Sequence, residues 1–312
     1  MNSNRNVVLF VGGVGGAKLA YGLMQELPAK RLTIIVNTGD DFWHYGLRVC
    51  PDLDTITYTL SGLVDRVNGW GIEEDTSTSF DALGHYGEVP WFRLGDKDLA
   101  THMLRTKLWH EGQTLTQIVQ HMTATLGIKC SVLPMANTPV ATIIDTVEHG
   151  ELGFQEYFVK HSWQPTVCSL RYDGIDNAKI SDEISQSIKA ADLIVIGPSN
   201  PWLSIDPILN VPGLRQLIME QDVPRVAVTP IIEGKAVKGP AAKIMQELGY
   251  SVSAEAVVNY YGEVINGFIY DNRDGNLETK HLRITAFDTL MTDDEKRIAL
   301  AHNLLKWTRD WK

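Results

Sequence analysis

The sequence predicts an α/β protein, a doubly wound, mostly parallel Rossmann-like sheet carrying a helical insertion. Three observations predict it. Short β-branched runs recur and each ends on a turn signal; amphipathic stretches of helical period separate them; and the runs are apolar throughout, as strands covered on both faces are. With 312 residues, 44% hydrophobic and 21% charged, the chain is globular in composition and long enough to bury a sizeable core. No repeat, low-complexity tract or linker divides it, so residues 1–312 read as one continuous domain.

The first run, 7–11, stops at Gly12-Gly13 and precedes a helical pattern over 18–27. The second, 32–36, ends in Asn37-Thr38-Gly39-Asp40, and a further helix starts near Thr55, with Asp52 or Asp54 able to cap it. Residues 61–127 show helical patterns and polar loops without a clear strand, which makes them an insertion or cap. Runs at 132–135, 140–146 and 154–159 read as additional strands. A helix over 181–191 opens on Ser181, with Asp182 and Glu183 in its first turn, where acids favour the helix dipole. Strands follow at 193–196, before Gly197-Pro198-Ser199-Asn200-Pro201, and at 225–228, before Thr229-Pro230. A last helix spans 292–311, with Thr292, Asp293, Asp294 and Glu295 at its start.

Charge excludes one large class of function. Lys and Arg number 28 against 38 Asp and Glu, and a net charge of −10 disfavours phosphate-backbone binding, so no nucleic-acid partner is expected. No stretch supplies the roughly 18 apolar residues of a membrane span; the best candidate, 7–20, is broken by four glycines and a lysine. The polar start at 1–6 and the lack of a cleavage-like site argue against a secretory signal, and the expected location is cytoplasmic. Cys50, Cys130 and Cys168 are too dispersed for a disulfide framework or a thiolate zinc site, and read as reduced structural thiols.

Ligands of open α/β sheets bind beyond the carboxyl ends of the strands, which directs attention to the loops. Gly12, Gly13, Gly15 and Gly16, followed by Lys18, make a turn whose amides and helix end can hold phosphate, or a turn that is merely tight. A dinucleotide fingerprint fails there, because Lys18 stands where the third glycine belongs and Asn37-Thr38 replaces the ribose-binding acid. The Walker pattern fails too, since Leu19 follows the lysine. Asp40 and Asp41, then Asp52 and Asp54, suit a hard cation such as Mg²⁺, which takes one or two carboxylates and completes its shell with water and phosphate. Arg93, Lys97 and Arg105 can concentrate positive charge for an anionic ligand, and Asp96, Asp98 and His102 read as metal ligands or as capping and surface groups. Ser199 and Asn200 offer donors and acceptors for a base or phosphate, and the lysines at 235, 238 and 243 read as a further phosphate contact or as solvated surface charges. Phe42, Trp43 and Tyr45 can stack on a flat ring or pack as core.

Seven motifs occur in order: Gly12-Gly13-x-Gly15-Gly16-x-Lys18-Leu19, Asn37-Thr38-Gly39-Asp40-Asp41, Pro51-Asp52-Leu53-Asp54-Thr55, Trp70-Gly71-Ile72, Leu94-Gly95-Asp96-Lys97-Asp98, Gly197-Pro198-Ser199-Asn200-Pro201 and Asp288-Thr289-Leu290-Met291. Together they resemble the 2-phospho-L-lactate transferase family of coenzyme F420 biosynthesis over nearly the whole chain. The resemblance implies a phosphotransferase that moves a 2-phospholactyl or phosphoenolpyruvyl group from a diphosphoguanosine donor to the ribityl hydroxyl of 7,8-didemethyl-8-hydroxy-5-deazariboflavin. It further implies that GMP is released, that Mg²⁺ is required and that the protein is a homodimer. It places the deazaflavin contacts on Asp54 and Arg93, metal and nucleophile positioning on Asp41 and Asp54, and the guanosine diphosphate on residues 12–16, Lys18, Ser199 and Asn200. Val14 and Gly16 stand where the family often carries threonine, which leaves phosphate contacts there to backbone amides. The competing reading is a sugar-nucleotide-binding regulatory protein of related fold.

Overall fold

Seven parallel strands form the central sheet of the computed structural model, which describes residues 4–279 and 282–311. They are β1 (Val7–Val11), β2 (Leu32–Val36), β3 (Ser131–Pro134), β4 (Leu193–Ile196), β5 (Arg225–Val228), β6 (Gly267–Asp271) and β7 (Arg283–Phe287). Their order is β7-β6-β5-β4-β1-β2-β3, and Val7 stands opposite both Leu32 and Leu193. The expected polar start at 1–6 is described only from Asn4 onward.

Both faces of the sheet are buried, which is why the strands do not alternate in polarity. Val8 and Phe10 feed one core, with Ile194, Ile196 and Phe268; Val7, Leu9 and Val11 feed the other, with Leu19, Leu23 and Leu304. Four helices bear on the site: α1 (Gly13–Glu26), α2 (Pro51–Ser61), α3 (Asp96–His110) and α4 (Asp294–Trp307). Helix α1 packs along α4, where the backbone of Gly22 lies against the Arg297 carbonyl.

Strands β1, β2, β4 and β5 have the expected bounds, and Ser181 caps Asp182–Lys189 by accepting from the Ile184 amide. The run at 154–159 is not a strand. It leads into a π-helical turn, Glu156–Lys160, because its apolar residues at 154, 157 and 158 follow helical spacing and bury Tyr157. Two sheet strands, β6 and β7, and the hairpin Phe42–His44/Leu47–Val49 lay outside the expectation. Tyr45 and Gly46 turn that hairpin with φ of 48° and 74°, a turn of the I′ kind that twists with its strands. Residues 61–127 contribute no strand to the sheet. They include Thr78–Leu83, α3 and Leu115–Thr125, and Leu115 and Val119 pack on the sheet beside Val132. Ala141–Thr146 pairs with Gly150–Gly153 and Val167–Asp173 in a separate antiparallel sheet. All three cysteines are free.

Candidate active site

The chain runs outward from β1 to β2 and β3 on one side, and from β4 to β7 on the other, so the sheet reverses direction between β1 and β4. Such a reversal opens a crevice at the carboxyl ends of the two strands. The glycine turn after β1 and the loop 197–200 after β4 are its lips. Gly13 takes a φ of 64°, a left-handed value glycine adopts without strain, and α1 starts there rather than at residue 18. A Cβ on Gly15 would lie 2.4 Å from the Pro198 carbonyl oxygen, so the bare backbone is what lets the lips touch. Ser199 Oγ closes the contact by accepting the Gly12 N–H at 3.1 Å and donating to the Gly12 carbonyl at 2.7 Å. Asn200 Oδ1 accepts from the amides of Trp202 and Leu203 at 3.0 and 3.1 Å, while its buried Nδ2 has no partner.

Asp52 and Asp54 do not cap α2, whose N-cap is Cys50; both lie buried in its first turn. Asp52 faces the glycine turn. Its Oδ1 accepts the Gly13 N–H at 2.7 Å and its Oδ2 accepts from Asn37 Nδ2 at 3.0 Å. A carboxylate thus occupies part of the helix end that phosphate was expected to fill, leaving the amides of Val14 and Gly15 without intrahelical partners. Burial pushes the Asp52 carboxyl up to about 6, against the hydrogen bonds from Asn37 and Gly13 and with the charge of Asp41 adding to the rise. Burial and then the charge of Asp52 hold Asp40 well above the usual carboxylate range, and its buried Oδ1 has no partner. Neither acid is paired with a cationic side chain among the described residues.

The other two acids are compensated. Arg48 Nη2 lies 3.2 Å from Asp41 Oδ2, with side-chain exposures of 4% and 1%, and its guanidinium rests over the Trp109 ring. Burial still pushes Asp41 up to about 6, and its Oδ1 is unpartnered. Asp54 is gripped through both oxygens by Arg105 of α3. The buried Cys50 thiol feels Arg105, Asp41, Asp54 and Arg48 together, which places the two ion pairs in one neighbourhood. Asp54, Asp98 and His102 also offer ligand atoms within 4.8 Å of one another. With Arg105 on Asp54, that trio is already partly neutralised and is the weaker cation site.

The remaining expected residues lie around this centre. Lys18 is half-buried with no acidic partner among the described residues; burial, then Arg297 and Lys238, lowers its proton affinity. Arg93 stands on the exposed rim of the insertion, donating to Ser77 Oγ at 2.7 Å and pairing with Asp81. Asp96 holds the insertion's loops by accepting from Thr76, Thr78 and Ser79. Phe42 packs edge-on against Phe92, whereas Trp43 and Tyr45 are about half exposed, at 47% and 46%. Arg48 carried no signal in the sequence. The pairing of Arg105 was foreshadowed by the D-x-x-x-H-x-x-R spacing of Asp98, His102 and Arg105, which sets three polar groups on one helix face.

A doubly wound sheet with buried acids and helix-start amides gathered at its switch point is the architecture of the α/β proteins that bind their ligands there. A family model described as 2-phospho-L-lactate transferase CofD matches residues 7–302. The chain is 38% identical over 299 residues to the 2-phospho-L-lactate transferase of Methanosarcina mazei, covering 95% of this chain and 98% of that protein. It is 37% identical over 309 residues to the phosphoenolpyruvate transferase of Streptomyces griseus, covering 96% and 97%. A solved structure of a UPF0052 family protein from Bacillus halodurans shares the fold, with a TM-score of 0.58, 16% identity, and 96% and 91% of the two chains covered. The chain belongs to the 2-phospho-L-lactate transferase CofD family, a family of transferases.

Proposed function

We propose that the protein transfers a phospho-acyl group, 2-phospholactyl or phosphoenolpyruvyl, from its diphosphoguanosine donor to the ribityl hydroxyl of 7,8-didemethyl-8-hydroxy-5-deazariboflavin, in coenzyme F420 biosynthesis. The ribityl oxygen forms a bond to the distal phosphorus, the bond from that phosphorus to GMP breaks, and the hydroxyl proton leaves to a base or to solvent. Family membership supports the reaction class. The observation that carries the reading to this crevice is buried Asp52 seated on the first turn of α1, with Asp40 and Asp41 close enough to repel it.

The donor set fits a hard cation. Asp40 and Asp41 each present a buried oxygen with no partner, and Asp40 and Asp52 repel one another with no cationic partner among the described residues. We therefore assign Mg²⁺ to Asp40 and Asp52, the two acids that no arginine holds, and leave Asp54, whose oxygens Arg105 engages, to orient the acceptor hydroxyl. The ion supplies charge neutralisation of phosphate oxygens beside carboxylates that would otherwise repel them. Each carboxylate oxygen has two lone pairs, so Asp54 can hold Arg105 and still accept from a hydroxyl. Val14 and Gly15 present amides to the diphosphate, Lys18 adds charge, and Asn200 Nδ2 is a free donor for the nucleotide. Trp43 offers an open face for the deazaflavin ring, with Arg93 on the outer rim.

Incubating the purified protein with the deazaflavin, Mg²⁺ and each candidate donor, followed by mass spectrometry, tests the reading. Phospho-acylated deazaflavin and GMP in equal amounts are expected; no product with a lactyl, enolpyruvyl or glyceryl donor refutes it. The same proposal makes the protein a cytoplasmic homodimer, which light scattering on the full chain checks by mass.

A further inference from the structure

Asp98, His102 and Arg105 follow one another along a single face of α3 and form a buried polar chain that ends on Asp54. Tyr58 donates its hydroxyl proton to Asp98 Oδ1, and Asp98 Oδ2 lies 3.0 Å from His102 Nε2. His102 Nδ1 is 3.2 Å from Arg105 Nη1, which also reaches the Arg48 carbonyl and Asp54 Oδ2, each at 3.2 Å. Arg105 Nη2 closes on Asp54 Oδ1. His102 and Arg105 are 1% and 2% exposed. The chain thus joins α2, α3 and the strand Leu47–Val49 through groups that, Asp98 excepted, have almost wholly left water.

Buried ion pairs are a poor means of gaining stability, because apolar residues of the same volume serve as well or better. A planar fork on both oxygens of a carboxylate does something apolar packing does not: it fixes where that carboxylate points. We infer that Arg105 is a positioning residue for Asp54, and that His102, Asp98 and Tyr58 hold Arg105 in place. This rests on the reading that Asp54 meets the acceptor hydroxyl.

The test is a kinetic cycle on the full chain with deazaflavin, Mg²⁺ and the donor that the unaltered protein uses. Arg105→Met is expected to lower kcat about 100-fold, the scale of loss when a reacting group is misplaced by about an ångström. The KM for the donor should stay within about threefold, since the donor-side contacts are untouched. Arg105→Lys restores charge without the fork and should recover under about tenfold. Above all, Asp54→Asn combined with Arg105→Met should be no slower than Asp54→Asn alone, because a positioning residue has nothing left to position. Losses that multiply in the double variant, or a folded Arg105→Met with near-normal kcat, overturn the inference. Should Arg105→Met fail to fold, Arg105→Lys carries the same cycle, and an unchanged kcat there overturns it equally. Absence of product with the unaltered protein refutes the transferase reading itself.

Discussion

Replacing Asp54 by asparagine tests the buried pair directly, because the change keeps the shape of the side chain and removes its charge. In the folded protein Asp54 and Arg105 have side-chain exposures of 9% and 2%. Removing one partner of such a pair leaves the other charge buried and uncompensated, at about 3–5 kcal/mol. The lower end applies here, since Arg105 keeps the Arg48 carbonyl and His102 Nδ1 as partners and the asparagine oxygen still accepts one N–H. A domain stable by about 5–15 kcal/mol survives a loss of about 3 kcal/mol and stays folded at 25 °C. Urea unfolding followed by circular dichroism reads this loss as a lower midpoint with unchanged slope. Turnover should fall further still, by about 10²–10⁴-fold, the range for losing a group that handles a reacting proton. A stability loss below about 1 kcal/mol would refute the account of the pair. Near-normal turnover would refute the role of Asp54.

Asp41 and Asp52 are both pushed up to about 6, so the folded state binds protons that the unfolded state has released above the ordinary carboxylate value of 3.8. Their effect on stability is therefore adverse and grows as pH rises from about 4 to about 6, by up to about 3 kcal/mol for each group. Asp52→Asn should flatten that fall in metal-free urea titrations; an unchanged pH profile counts against it. Mg²⁺ at pH 7.5 should raise the melting temperature, equivalent to about 2.7 kcal/mol at 100 times its Kd. Calorimetry should lose that shift in Asp40→Asn, and a shift that survives there contradicts the assignment. Gly12→Ala would set a Cβ 2.4 Å from Asp52 Oδ2 and 2.7 Å from Ser204 Cβ, and Gly22→Ala one 2.1 Å from the Arg297 carbonyl oxygen. Each should cost about 1–3 kcal/mol by overpacking, but only Gly12→Ala should also weaken donor binding in calorimetry.

The core of the sheet could be read because each of its inner strands is a run of apolar residues cut off by a turn. Val7–Val11 and Leu193–Ile196 have nothing polar to obscure them. β7 was hidden by Arg283 and Thr285 within it, on a strand whose residues are at most half-buried at the sheet's edge. The short hairpin at 42–49 reads in sequence as an aromatic loop, since its strands are three residues each. In the site, residue type and position relative to strand ends were enough to single out the four acids and the glycine turn. Their division of labour was not legible, because it depends on which acid meets an arginine. Arg48 reaches Asp41 across a hairpin turn and Arg105 reaches Asp54 across 51 residues of chain. Periodicity reports only the face of one helix, and Arg105 shows its partner only once α3 is docked on the strand Leu47–Val49 with its side chains reaching α2.

That docking also limits how the protein can move. A cap over a crevice is usually imagined as swinging open to admit its ligands, yet the segment holding α3 is pinned to the body by a guanidinium and a carboxylate with almost no access to water. Lifting it would strand both charges in apolar surroundings before solvent reached them, a penalty of several kcal/mol that few molecules would overcome in a catalytic cycle. Traffic of substrate and product must then pass beside this part of the molecule, with α3 serving as a fixed wall.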